Sequence, residues 1–525
     1  MHRRRRNCSI AGFLVWLIVG PCSSRAQFSA NFQTNIISGV STALAAYYVG
    51  YTNFADALLI LNGGVLFIGC GGPGGYVGYS VSSSNNSVLV SGAGSAWSNT
   101  CTLTVGDSGA ANSLVISNGG QVTSGGGTVG FNSSSNSALI CGTGSVWNAG
   151  NSALTVGGGS LTTGNSLIVS NGGSVIGSAA VGSSGNLIVV TGPGSAVTGT
   201  VSVGAFTGNR LIIGGGAVAT GDGIIDGLSN TVLVTDSGSV WTNSHDLYVG
   251  EYGRGGNSLV ISNGGRAFNS NAYVSEDTAT SSNTVVVTGT GSVWTVAAEL
   301  HIGYLGPDNT LVVNNGGVVA NSSSYIGDNI AGSNNSVLVS GAGSAWSNSS
   351  LTVGYSGAGN SVIVSNGGQV INGGPVGFQP GSSNNTVIVT GTGSTWNCGA
   401  GAFSLGYDSS SNTLVISSGG QVYSYGFYLG ESTSAANNSA LVTGTGSVWA
   451  LDSNVYVGNS GAGNSLVISN GGLVANSLGG GSGYIGGQPG GSNSTVLAKG
   501  VNALEAVEKV AFVSGKFLQF VVAVV

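Results

Sequence analysis

The chain has 525 residues, 97 of them Gly, with only 5% charged residues and a formal net charge of −6. That composition fits neither an average globular enzyme nor a charge-solvated disordered chain, and the 41% apolar share is enough for a core. Between Ala26 and Thr495 the basic side chains are Arg210, Arg254 and Arg266, too few for a groove that tracks phosphates, so nucleic acid is excluded as a partner.

The amino terminus reads as an export signal. Basic Arg3 to Arg6 precede an apolar run from Ile10 to Val19 and then Ser24-Arg25-Ala26, with small residues at the −3 and −1 positions. Cleavage is expected after Ala26, and the apolar run is shorter than the ~20 residues of a membrane span. Residues 27–46 form an irregular lead-in, expected to cap the first turn of the body that begins at Tyr47. After cleavage Cys70, Cys101, Cys141 and Cys398 occupy unrelated positions, which makes neither a disulfide framework nor a zinc site.

From Tyr47 the chain repeats. Its clearest unit is Asn464 to Val474, N-S-L-V-I-S-N-G-G-L-V, with close copies at Asn112–Val122, Asn257–Gly265 and Asn360–Val370. The leading Asn recurs at 86, 112, 136, 165, 186, 209, 230, 257, 283, 309, 335, 360, 385, 412, 438, 464 and 493, with Asp56 in the same slot one unit earlier. The step is about 25 residues, a period that marks a solenoid, propeller or array. Trp97, Trp147, Trp241, Trp294, Trp346, Trp396 and Trp449 each lie eleven residues after the Asn of every second unit, and Val197 and Leu504 fill that slot elsewhere. The full repeat is therefore about 50 residues in two halves, one ending Asn-Gly-Gly-x-Val and the other Gly-Ser-x-Trp.

A third constant is x-Val-Gly, as in Tyr47-Tyr48-Val49-Gly50 and Leu351-Thr352-Val353-Gly354. Each half-unit then holds three short β-prone runs bounded by Gly, Ser and Asn, and none shows helical periodicity. Three strands per 25 residues predict an all-β fold, a right-handed parallel β-helix of about 18 rungs. Like residues stack on like, so Leu, Ile and Val form apolar columns and Asn86, Asn112, Asn136, Asn257, Asn360 and Asn464 form a hydrogen-bonded ladder at one corner. A propeller fits less well, because a blade needs four antiparallel strands of differing exposure. Around Val197 the pattern is weakest, and trimmed loops are expected there. After Ala498 it dissolves into residues 499–525, read as a cap or a truncated tail.

Two constellations bear on chemistry. Nine of the fifteen acids between Ala26 and Thr495 fall at Asp222, Asp226, Asp236, Asp246, Glu251, Glu276, Asp277, Glu299 and Asp308, among Arg254, Arg266, His245 and His301. Were the chain a polysaccharide lyase or hydrolase, paired carboxylates and a basic residue on neighbouring rungs would do the work, with Asp236, Asp246, Glu251 and Arg254 as the set. Solvated side chains on an outer face account for the same acids more simply, since no tight motif matches. The Trp column, about 10 Å between members, also suits an aromatic strip for sugar rings. Corner packing against neighbours such as Val122 or Val370 is the simpler account, since Val197 and Leu504 substitute by apolarity alone. No cofactor or metal is expected: the calcium-binding nonapeptide does not recur, and no helix follows the Gly-x-Gly strings to receive a phosphate.

The run V-T-G-T-G-S-V-W, followed by x-Val-Gly and N-S-L-V-I-S-N-G-G-Q-V, resembles the repeat family shared by type V secretion (autotransporter) passengers and PEP-CTERM surface proteins. The resemblance covers residues 47–498. It implies an exported β-solenoid, secreted or at the cell surface or outer membrane of a Gram-negative bacterium. The residues after Ala498 hold neither a translocator barrel nor a Pro-Glu-Pro sorting tail, so the resemblance leaves the anchoring route open. The function expected is a structural, adhesin-like rod facing glycans, matrix or neighbouring cells, with the carbohydrate-active enzyme as the alternative.

Overall fold

The structure is a computed structural model that describes residues 25–27, 30–69, 74–160, 162–204, 206–220, 223–476 and 482–499, with strands at 510–512 and 519–523. Residues 1–24 of the expected export signal, with Cys22, and Cys70, Asp222 and Leu504 lie outside the described residues, while Arg25–Gln27 pairs in parallel with Ala46–Val49. The chain is all-β, a right-handed parallel β-solenoid of about 17 turns. Among the described residues no helix is long and apolar enough to cross a membrane.

Each turn has three faces. The Val-Gly face is built from strands such as Leu103–Val105 and Leu247–Val249. The Leu-Val-Ile face takes five-residue strands such as Ser113–Ser117, and the Trp face takes strands such as Val240–Thr242 and Val293–Val296. Strands on each face pair in parallel with their equivalents one turn before and after: Ser113–Ser117 lies between Ser87–Ser91 and Ser137–Cys141, residue on residue. The Leu-Val-Ile face runs without a break through twenty strands, from Thr34–Ser38 to Gln519–Ala523. Residues 34–44 thus add strands beneath the first turn, Thr34–Ser38 on Ala57–Leu61 and Ser41–Leu44 on Val65–Ile68. At the far end Val510–Phe512 pairs with Gly483–Ile485. Around Val197 the Trp-face strand shrinks to Ala196–Val197.

Alternation decides what fills the interior. In Ser113–Ser117 and most of its equivalents the second and fourth residues are buried and the others half-exposed, so Leu114 and Ile116 stand in the core. The seven tryptophans stand there too. Trp97, Trp147, Trp294, Trp346, Trp396 and Trp449 are 0% exposed and Trp241 is 1% exposed. Trp97 stacks between Leu66 and Val122, and Trp346 between Val319 and Val370. A buried indole N–H favours an acceptor, and for four of the seven the turn below supplies it two residues past the stacking partner, whereas the Trp97, Trp241 and Trp396 N–H groups are buried without one among the described residues. Trp147 donates to Ser124 Oγ at 2.9 Å, Trp294 to Asn269 Oδ1 at 2.8 Å and Trp346 to Asn321 Oδ1 at 3.0 Å.

The corner ladder is a second internal column. The backbone N–H of each ladder residue donates to the side-chain Oδ1 one turn on, from Asp56 onto Asn86 at 2.9 Å to Asn438 onto Asn464 at 2.8 Å. The Val-Gly motif is coupled to it. A Cβ on Gly78 would lie 2.1 Å from the Asn112 carboxamide, and one on Gly303 equally close to that of Asn335. Glycine recurs because the next turn's ladder side chain occupies the space. The last step of the expected ladder is displaced by one residue: Ser465 pairs with Thr495, so Ser494 stands over Asn464. Asn493 instead takes the left-handed slot before it, φ 57°, as Asn85 and Asn437 do.

The halves differ because their turns are complementary. Asn118 and Gly119 both have positive φ, 52° and 84°, the geometry of a type I′ turn, and this explains Asn-Gly at that point. The turn leaves the Gly119 N–H unpaired within its own rung. Ser145 of the next half, the Ser of Gly-Ser-x-Trp, accepts it at 3.1 Å and donates to the Cys141 carbonyl at 2.8 Å. Ser344, Ser394 and Ser447 do the same for Gly316, Gly367 and Gly419.

Candidate functional site

With Asn, Trp and turn Ser committed to the interior and corners, the side chains free to meet a ligand are the outward ones. On the Val-Gly face the residue before Val points out, and Tyr recurs there. Tyr48 and Tyr76 stack at 5.2 Å, Tyr248 and Tyr273 at 5.4 Å, and Tyr428, Tyr456 and Tyr484 at 4.8 and 4.6 Å. These separations follow the ~4.8 Å strand spacing, so the rings cover one another's faces and, apart from buried Tyr48, present edges and hydroxyls outward. A second column follows the Gly, with Tyr51 on Tyr79 and the run Tyr355, Phe378, Tyr407.

Between 246 and 355 the two columns gather carboxylates. His301 continues the stack, 4.9 Å from Tyr273 and 5.2 Å from Tyr325. Its ring is buried, and its nitrogens face two acids: Nδ1 lies 3.0 Å from Asp328 Oδ2 and Nε2 lies 3.3 Å from Glu299 Oε2. With Tyr304 and Tyr355 these residues line an open cleft of about 290 Å³. One turn away, burial raises the Glu251 carboxyl pKa, opposed by the Tyr252 hydroxyl and aided by Asp226. Burial and then Glu251 and Asp246 raise that of Glu276. The Tyr248 hydroxyl is pushed up to about 12 by burial first, then by Asp246, Glu276 and Glu251. The patch is thus negative, and a polyanion is repelled from it.

The residues singled out in the sequence divide. Asp246 and Glu251 both border Tyr248, and Asp246 Oδ1 accepts the backbone and side-chain N–H groups of Asn271 at 3.1 and 2.9 Å. Asp236 is elsewhere, exposed in the turn between the Leu-Val-Ile and Trp faces, where its Oδ2 accepts the Gly215 N–H at 3.0 Å. Arg254 is exposed in the loop before the ladder, and Arg266 is exposed on the Trp face. The four proposed catalytic groups therefore do not converge, because Asp236 and Asp246 stand at opposite ends of the short Trp-face segment of one turn. The tryptophan strip is a correction as well: all seven indoles lie inside the solenoid, and none offers a ring face to a sugar. The outward aromatic strip is the tyrosine column, legible in the recurring Tyr of Tyr48-Val49, Tyr248-Val249 and Tyr456-Val457 but overshadowed by the rarer Trp.

Asp226 stands in a Val-Gly glycine slot, where it is buried and accepts the N–H groups of Glu251 and Tyr252 at 3.2 and 2.9 Å. Cys141 and Cys398 are free thiols, and burial pushes that of Cys398 up to about 12. Among the described residues no three His, Cys, Asp or Glu side chains are grouped to hold a metal ion.

No family model matches the chain, and no curated protein does. Among solved structures the chain is similar to a TibC-catalyzed hyper-glycosylated fragment of TibA, at 14% identity and a TM-score of 0.27, over 80% of this chain and 94% of that one.

Proposed function

We propose that the chain is an exported, non-enzymatic rod of the adhesin-like passenger type, secreted or held at the bacterial surface, whose side faces meet extracellular glycans, matrix or neighbouring cells. The observation that carries this reading is where the repeat residues go. Ladder Asn, turn Ser and core Trp all bond or pack within the stack, so the repeat maintains a shape and leaves the outward columns to vary. The Tyr and carboxylate strip is the docking place in this reading. Its negative charge favours neutral or amine-bearing sugars over polyuronates. Purified chain tested on a panel of neutral, amine-bearing and acidic polysaccharides should bind the first two without turning them over, and Tyr304→Ala with Tyr355→Ala should weaken that binding. Binding confined to acidic polymers would contradict it.

A second reading, a carbohydrate-active enzyme, is favoured by one observation: two carboxyls of raised pKa, Glu251 and Glu276, adjoin Asp246 and Tyr248. Turnover of any polysaccharide that Asp246→Asn and Glu251→Gln each abolish would replace the first reading with this one.

A further inference from the structure

We infer that the Leu-Val-Ile face is a self-docking surface, on which a second copy of this chain packs antiparallel about a two-fold axis. Across ten consecutive strands, from Thr231–Thr235 to Ser465–Ser469, the outward residues form one pattern. An aliphatic column from Leu233 to Val467 runs down the middle, flanked on each side by Ser or Thr, with Asn314 as the exception. No charged side chain points out of these strands. The uncharged tract is bracketed by Arg210 on one side and Lys499 on the other, each exposed at the same face.

Four properties point to a second copy as the occupant. The first is area: ten strands at ~4.8 Å by five residues at ~3.3 Å give on the order of 750 Å² per copy, close to the ≈ 800 Å² that each partner contributes to a stable interface. The second is period. Another copy carries the same inter-strand step, so the aliphatic column of one seats along the hydroxyl furrow of the other over the whole length, as identical side chains do in a dry zipper. The third is desolvation cost, which is low because the flanking hydroxyls already bond along the face. Ser262 Oγ donates to Thr235 Oγ1 at 3.0 Å, and Ser365 Oγ to Ser340 Oγ at 3.0 Å. The fourth is charge: two chains of net −6 meet without opposing their acidic Val-Gly faces, since those belong to a different side of each rod. A two-fold axis through the middle of the tract sets strand Ser336–Ser340 of one copy level with strand Ser361–Ser365 of the other, so that Leu338 and Ile363 of each lie in the partner's hydroxyl furrow.

The test is the mass of the full chain in sedimentation equilibrium across a wide concentration range. Wild type is expected at two chains, Leu338→Lys with Ile363→Lys at one, and Ile371→Lys, exposed on the Trp face, at two. Should the paired lysines unfold the rod, Ser336→Glu with Ser361→Glu, at outward hydroxyls of the same strands, gives the same readout. Wild type remaining at one chain throughout overturns the inference, including the case in which the single chain instead adsorbs to an insoluble neutral polysaccharide through this face. A charge-substituted variant that folds and remains at two chains overturns it equally.

Discussion

Asn309 Oδ1 accepts three hydrogen bonds, from the Asn283 backbone N–H at 3.0 Å, the Asn283 side chain at 3.2 Å and Ser275 Oγ at 2.7 Å. Its amide donates to the Gly306 and Pro307 carbonyls and to Asn335 Oδ1, each at 2.9 Å. Replacement by Ala strands several buried groups at once, and Asn309→Ala is expected to cost about 3 kcal/mol in urea unfolding. A loss below about 0.5 kcal/mol would show that the ladder is ornamental. Glycines separate crowding from backbone strain. Gly303 and Gly253 both have positive φ, 73° and 90°, but a Cβ meets Asn335 at the first and nothing within 4 Å at the second. Gly253→Ala should cost about 1 kcal/mol, the left-handed penalty alone, and Gly303→Ala distinctly more in the same assay. At this scale the sequence is legible wherever a residue type has one local use. Asn before the Leu-Val-Ile run announces its ladder, but at Asn493 the Asn-Ser order hides a one-residue offset that strand pairing alone sets. The tyrosines are harder to read because a half-exposed outward column needs no fixed identity, and Thr104, Thr128 and Thr155 stand in it as readily.

Among the elements, the Trp-face strands depend on packing volume more than on indole chemistry, since Val197 holds the same slot at 1% exposure. Trp294→Ala is expected to cost about 3–5 kcal/mol and Trp294→Val less, with the β-sheet circular dichroism spectrum retained in both. The penalty includes the Asn269 carboxamide left without its donor. On the Val-Gly face, stability should depend on pH through Glu251 and Glu276, whose carboxyls are raised by burial and by neighbouring acids. Their folded pKa values exceed the unfolded ones, so the folded state keeps protons that the unfolded chain releases. Their contribution is full below the ordinary carboxylate range and is lost as pH rises through the raised values. Calorimetry should find a melting temperature that falls from mildly acidic to neutral pH, and less so in Glu251→Gln with Glu276→Gln. An equal fall in that double variant would assign the effect to other groups. Strand positions are legible because each run is bracketed by turn formers. The convergence of Asp246 with Glu251 and Glu276, and the separation of Asp236, are not, since they depend on which side of a short strand each residue leaves.

For the whole molecule, the period fixes the architecture: one repeated unit stacked on itself has few ways to satisfy its backbone other than pairing with its own copies. The total count is harder to read. Residues 34–44 and the strands Val510–Phe512 and Gln519–Ala523 join the stack through backbone pairing without carrying the repeat. Exposed Phe32, Ile36 and Val40 lie at the first turn, where outward residues depart from the hydroxyl pattern of the middle of the rod. The most direct test of the stacked rod is the maximum dimension from small-angle X-ray scattering, extrapolated to infinite dilution so that single chains are measured. Nineteen inter-strand steps at ~4.8 Å place it at about 90 Å, with a rod-like cross-section. A globule of this length would measure about 60 Å across, and a maximum near that value would contradict the continuous stack.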